Sequence, residues 1–277
     1  MLCGAQTIDL DDNQIGDEGM RSLSDAIGTL PNLEVLHLAG NNITDDGLAV
    51  LMPLLKKDGE LSQLTNFSIG SGITDKGMCS LADEIGRGAL ENLTNLHLFN
   101  NEIGDAGVSA LATVVGKGAM ADLTLLVLSM NKIGADGMKS LATAIDSGGM
   151  ASLTKLDLND NKIGDAGVSA LATAVGKGAL ADLTYLDLGE NKIGDDGMKS
   201  LATAVGRGAL ASLASLSLLI NNIGDDGIIS LSNAIKPTAE GGSGGMASLQ
   251  ELYVDSDEHP TIRAACHTRG ISMDDCF

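Results

Sequence analysis

Tryptophan is absent from this 277-residue chain, and aromatic residues make up only 2% of it. Any core must therefore be built from Leu, Ile, Val, Met and Ala, which suits thin, even layers better than an irregular globule. Cysteine is sparse too. The four residues at 3, 79, 266 and 276 are too scattered for a disulfide framework and point to a reducing compartment. No apolar run reaches the ~20 residues that a membrane helix needs. Met1 to Gln6 carries neither a basic segment nor a long apolar stretch, so no signal peptide is expected. Localisation is read as intracellular, in the cytoplasm. Positive charge is also short: 17 Lys and Arg face 37 Asp and Glu, a net charge of −20. Such a surface disfavours nucleic acid and anionic membranes and steers basic partners, although it also serves simple solubility.

What the chain has in abundance is repetition. The frame Leu-x-Leu-x-x-Asn-x-Ile-Gly is clearest at Leu156 to Gly164. Its Asn recurs at Asn13, Asn41, Asn101, Asn131, Asn161, Asn191 and Asn221, and Gly72 and Asp257 fill the two remaining registers. Self-similarity at a nearly fixed period means stacked units rather than two globular domains. A longer period is superimposed, because residues 101–160 match 161–220 almost throughout. The duplicated unit was therefore a pair of repeats.

Within each repeat, period-2 apolar alternation such as Leu183-x-x-Leu186-x-Leu188 predicts a strand. Val168, Leu171, Ala172 and Val175 then fall on one face of a helix. Strand and helix alternating every ~30 residues predict parallel strands with helical crossovers. Thr44, Thr74, Gly104, Gly134, Gly164, Gly194 and Gly224 are expected as N-caps. Acids follow in each first turn and bases stand at the helix ends, as the macrodipole favours. Gly86, Gly116, Gly176 and Gly206 are expected as left-handed C-terminal caps. Pro53 should disturb the second helix. Residues 1–257 are read as one solenoid of nine strand repeats with a Gly-rich loop insert at 236–245. Residues 258–277 are read as a C-terminal cap with a helix around Ile262–Cys266.

This motif resembles the leucine-rich repeat, and the ~30-residue period with its Ile-Gly-Asp-x-Gly helix start looks like the ribonuclease-inhibitor-like subtype. The resemblance covers residues 5–257. It implies an α/β fold: a right-handed horseshoe solenoid with a concave parallel β-sheet and convex α-helices. It also implies an intracellular, non-enzymatic scaffold that binds a protein on its concave face. The same resemblance offers an inhibitor of a basic enzyme such as a ribonuclease, but the many Cys and the Trp-rich face of the subtype's namesake are missing here. A GTPase regulator similar to Ran GTPase-activating protein is a further alternative; the long acidic tail of that family is missing.

The Asn residues have a local reason. Where the strand bends toward the helix, backbone groups lose their sheet partners, and a carboxamide both donates and accepts. The ladder should weaken at Gly72, which supplies neither function. The residues between the inward Leu positions are expected on the concave face. There, Phe99, Leu125, Val127 and Met130 form an apolar patch. Asp157, Asp160, Tyr185, Asp187 and Glu190 form an acidic one beside it, and Leu219 adds apolar surface with Ile220. An acidic field flanked by apolar residues suits a basic partner with hydrophobic anchors.

No enzyme motif stands. Gly116-Lys117-Gly118 lacks the rest of a phosphate loop. Asp9-x-Asp11-x-Asn13 opens like a calcium loop but has Gln14 where Gly is required. His37 and His97 lie two repeats apart, so their rings are expected roughly 10 Å apart. His259, Cys266, His267 and Cys276 fit no common zinc spacing. No cofactor and no metal are expected.

Overall fold

The computed structural model describes residues 5–236, 245–255 and 259–273. Nine strands form one open sheet in sequence order, every neighbour parallel. They are β1 (Thr7–Asp9), β2 (Val35–Leu38), β3 (Asn66–Ile69), β4 (Asn95–His97) and β5 (Leu125–Val127). Then come β6 (Lys155–Asp157), β7 (Tyr185–Asp187), β8 (Ser215–Ser217) and β9 (Glu251–Tyr253). Helices alternate with them: α1 (Gly16–Ile27), α2 (Asp45–Leu55), α3 (Asp75–Gly86), α4 (Asp105–Val115), α5 (Ala135–Asp146), α6 (Gly164–Gly176), α7 (Asp195–Gly206), α8 (Asp225–Ile235) and α9 (Pro260–Arg269). The core is the narrow layer between. The central Leu of the strands, such as Leu126, Leu156 and Leu186, are buried against helix residues such as Leu141, Leu171 and Leu201. Among the described residues no helix is long and apolar enough to cross a membrane.

Each ladder Asn serves the repeat before its own. Asn161 accepts from the Ile133 N–H at 3.0 Å and donates to Leu128 O at 2.9 Å and to its own Leu158 O at 3.1 Å. Asn131, Asn191 and Asn221 repeat the pattern on Ile103, Ile163 and Ile193. Asn13, with no earlier repeat among the described residues, is exposed and only closes its own turn onto Leu10 O and Asp11 O. Asp257 lies outside the described residues, as does most of the 236–245 insert. At the far end the acceptor role falls to Asp255, whose carboxylate takes the Ile220 and Asn221 N–H groups. At Gly72 no carboxamide reaches the Ile43 N–H, the counterpart of Ile73, which Asn101 does reach at 2.9 Å. Amide hydrogen exchange is therefore expected to be faster around Asn41–Ile43 than around Asn131–Ile133. Equal protection of the two turns would remove the argument.

Two expectations about helix ends need correction. The left-handed residues are not Gly86, Gly116, Gly176 and Gly206 but Gly88, Gly118, Gly178 and Gly208, two places on. The Gly118 N–H bonds Val115 O and the Ala119 N–H bonds Val114 O, a Schellman pair, so the helical turn runs through Gly116, at φ −63°. One expected N-cap is instead the first helical residue: α6 begins at Gly164, as α1 begins at Gly16, both with φ near +60°.

The cause is a second ladder, of aspartates. Asp105 Oδ1 accepts from the Gly134 and Gly137 N–H groups at 2.7 and 2.8 Å, capping the helix of the next repeat. Asp75, Asp165 and Asp195 do the same for α4, α7 and α8, while Asp17 and Asp45 hold Thr44 and Thr74. The acids are thus hydrogen-bonded caps across repeats as well as dipole partners. Hydrogen bonds from Thr44 and Gly47 outweigh burial at Asp17 and hold its carboxyl below the usual range. The glycine at the third position of each capped helix leaves room for that carboxylate. A Cβ on Gly137 would stand 2.7 Å from Asp105 Oδ1. Where the preceding repeat has Ala135 instead of Asp, Gly164 has no carboxylate to bond and turns to φ +58°. Gly16 has no earlier repeat among the described residues and adopts the same conformation.

The last described residues cover the end of the stack. Ile262, Ala265 and Cys266 of α9 are buried, and the Arg269 guanidinium donates to the carbonyls of Ile235, Gly245, Met246 and Ala247. Ser272 then pairs with Leu252 and Gln250 as a partial further strand. Burial raises the Cys266 thiol to about 11, against the opposing effect of Arg269, so it is inert at neutral pH.

Candidate functional site

Strand register places the outward residues in two rows. One runs Val35, Asn66, Asn95, Leu125, Lys155, Tyr185, Ser215 and Glu251. The other runs Asp9, His37, Ser68, His97, Val127, Asp157, Asp187, Ser217 and Tyr253. The strand-to-Asn turns carry Phe99, Met130, Asp160, Glu190, Leu219 and Ile220 beside these rows.

The structure divides the expected site. Tyr185, Asp187, Glu190 and Leu219 line one concavity of about 330 Å³, together with Ile220, Glu251 and Tyr253. Phe99, Leu125, Val127, Met130, Asp157 and Asp160 lie outside that lining. Within the expected apolar patch, Phe99, Leu125 and Val127 are half-buried, and Met130 is 47% exposed. In the eighth repeat the exposed apolar surface is mainly Ile220, at 64%, while Leu219 is half-buried. Lys155 stands exposed between Leu125 and Tyr185 and places one base beside the acids.

The strand-end acids also have backbone duties. Asp187 Oδ1 accepts from the Gly189 N–H at 2.8 Å, and Asp157 Oδ1 from the Asn159 N–H at 3.0 Å. Their second oxygens take the Tyr185 hydroxyl and the Ser129 hydroxyl, respectively. Burial, reinforced by the neighbouring Asp187 charge, raises the Asp157 carboxyl above its usual range. Burial and the charges of Asp187 and Asp157 keep the Tyr185 phenol protonated well past its ordinary value. Asp160 and Glu190 are exposed and make no side-chain ion pair among the described residues.

One feature had no sequence signal. The turn residue before each ladder position is left-handed at Asn100, Met130, Asp160, Glu190 and Ile220. Asn and Asp tolerate that region, whereas a β-branched side chain rarely adopts it. Ile220 sits there at φ +54° and is also the most exposed large apolar residue among the described residues. The expectation for the two histidines also fails. Their ring centroids are 6.3 Å apart, edge to face, because only the small, buried Ser68 lies between their strands.

The family model for the leucine-rich repeat matches residues 6–24, 29–52, 89–112, 119–142, 149–172 and 180–202. No curated protein matches the sequence. Among solved structures, the chain is similar to an internalin from Listeria monocytogenes at 20% identity, over 98% of this chain and 87% of that one, with a TM-score of 0.29. A likeness that weak carries no argument about function. Six matched segments, nine parallel strands in one open sheet and a repeating Asn ladder make this chain a leucine-rich-repeat solenoid.

Proposed function

We propose that the chain is a non-enzymatic scaffold that binds a basic protein partner on its concave face, across repeats 7 to 9. The observation that carries this reading is Ile220. A strained backbone holds a large apolar side chain in solvent beside Glu190, Asp187 and Glu251. Such strain is retained against a cost of roughly 1–2 kcal/mol. An exposed apolar anchor rimmed by carboxylates is complementary to an apolar side chain flanked by Lys or Arg. The net charge of −20 supports a protein rather than nucleic acid. The unpaired thiols Cys79 and Cys266 support a reducing, intracellular setting. The ~30-residue period and full helices between strands support the ribonuclease-inhibitor-like subtype. In this reading residues 1–257 are the binding body and 258–277 its cap.

The test separates function from stability. Ile220→Asn places a left-handed-tolerant residue at the strained position. It is expected to raise stability by about 1 kcal/mol in urea denaturation. It should also weaken binding to arrayed Lys/Arg-rich peptides with apolar anchors by at least about tenfold, the loss of one buried side chain. Glu190→Lys should weaken the same peptides without the stability gain. If the wild type shows no preference for basic peptides, or if both variants bind like the wild type, the site is elsewhere.

A further inference from the structure

The opposite end of the concave face holds a different chemistry. Asp9, Asp11 and His37 each present one ligand atom, all within 4.8 Å of one another. Two of these groups are set by backbone hydrogen bonds. Asp9 Oδ1 accepts from the Asp11 N–H at 3.2 Å, and Asp11 Oδ1 accepts from the Ala39 N–H at 2.6 Å. The second oxygen of each carboxylate remains for another partner. His37 Nδ1 stands 3.9 Å from Asp9 Oδ2. Among the described residues neither carboxylate is paired with Lys or Arg, so two neighbouring negative charges face only imidazole. His97 brings a second ring to 6.3 Å from that of His37. Among the described residues His37 Nε2 is buried and has no hydrogen-bond partner.

We propose that Asp9, Asp11 and His37 form a binding site for one borderline divalent transition-metal ion of the Zn²⁺ type. The donor set decides the class. Imidazole with carboxylate suits Zn²⁺, Co²⁺ and Ni²⁺, whereas Ca²⁺ and Mg²⁺ take oxygen donors. The backbone bonds to Asp9 and Asp11 are the outer contacts that orient ligating carboxylates in known metal sites. The ion would tie β1 to β2 at the first edge of the sheet. It would also neutralise charge where three acids, Asp9, Asp11 and Asp12, crowd one turn.

The site is tested on the full chain, stripped of metal and titrated with Zn²⁺ alone and with Co²⁺ alone. One ion per chain is expected, with a Co²⁺ absorption spectrum characteristic of mixed nitrogen and oxygen ligation. His37→Ala should weaken Zn²⁺ binding by at least about 100-fold, since loss of even an outer contact costs 10–100-fold. His259→Ala, at the other end of the molecule, should bind like the wild type. If His37→Ala misfolds, imidazole ¹⁵N shifts of the wild type replace it, and Zn²⁺ should move His37 but not His259 or His267. Undiminished binding by a folded His37→Ala, equal competition from Ca²⁺, or shifts at all four histidines would overturn the assignment.

Discussion

Asn101→Ala is expected to destabilise the solenoid by at least about 3 kcal/mol, read as a lower urea midpoint with the far-UV helical signal intact before the transition. The size follows from what the side chain reaches. Its Oδ1 accepts from Ser71, Gly72 and Ile73 N–H groups, and its Nδ2 donates to Ile69, Leu98 and Phe99 carbonyls, all within 3.3 Å. The residue is 6% exposed, so water cannot replace these bonds. Each backbone group left bare in such a place costs roughly 1–3 kcal/mol. Asn101 also accepts from three backbone N–H groups, where Asn131 accepts from that of Ile103. Asn13→Ala is the control. That side chain is exposed and bonds only within its own turn, so the loss should stay below about 1 kcal/mol. Equal losses at the two positions would show that the ladder does not act by satisfying buried backbone.

Asp105→Ala and Ala135→Asp are expected to move stability in opposite directions. Removing Asp105 takes the carboxylate from two N–H groups at the start of α5 and should cost about 2 kcal/mol, the upper range for a lost helix cap. Ala135→Asp supplies the missing carboxylate to Gly164 and Gly167 and should add about 1 kcal/mol. The accompanying structural change is specific. Gly164 should leave φ +58° for the extended region near −100° that Gly134 and Gly194 occupy. A crystal structure or backbone chemical shifts of the variant would report it. An unaltered Gly164 would mean that its left-handed conformation comes from the Asn191 carbonyl, which its N–H bonds at 2.9 Å, and not from the missing acid. The capping also has a pH sign. Asp17 is held below its ordinary pKa, so its contribution is complete above the unfolded value and is lost as the pH falls through the folded one.

Much of this molecule was legible in advance because each repeat states the same rule. Leu alternation, the helical face of Val168, Leu171 and Val175, and the recurring Asn give strand, helix and turn without any long-range information. Parallel order follows, because one rise of a solenoid leaves each strand no neighbour but the next. The two aspartate functions were less legible. An acid in the first turn of a helix reads as dipole matching, and only the stacking shows that its oxygens reach the next helix, about thirty residues on. The threonines of Leu123-Thr124, Leu153-Thr154 and Leu183-Thr184 are a similar case. Their hydroxyls bond the carbonyl of the preceding threonine, but in the sequence they look like ordinary strand-entry residues.

The candidate sites divide the same way. The sequence alone determined the two outward rows, because a period of two fixes which side chains leave the sheet. It also placed the acids of the sixth and seventh repeats next to one another. Only the tertiary structure decided which of them share a concavity. That depends on how the turns carry Glu190, Leu219 and Ile220 over the rows and on Glu251 and Tyr253 arriving from beyond the insert. Only the tertiary structure decided that Ile220 is strained, since φ depends on the turn that the stacked Asn221 imposes. It likewise decided that His37 and His97 meet. Strand spacing alone keeps them apart, and it is the small buried Ser68 between them that lets the two rings close the gap.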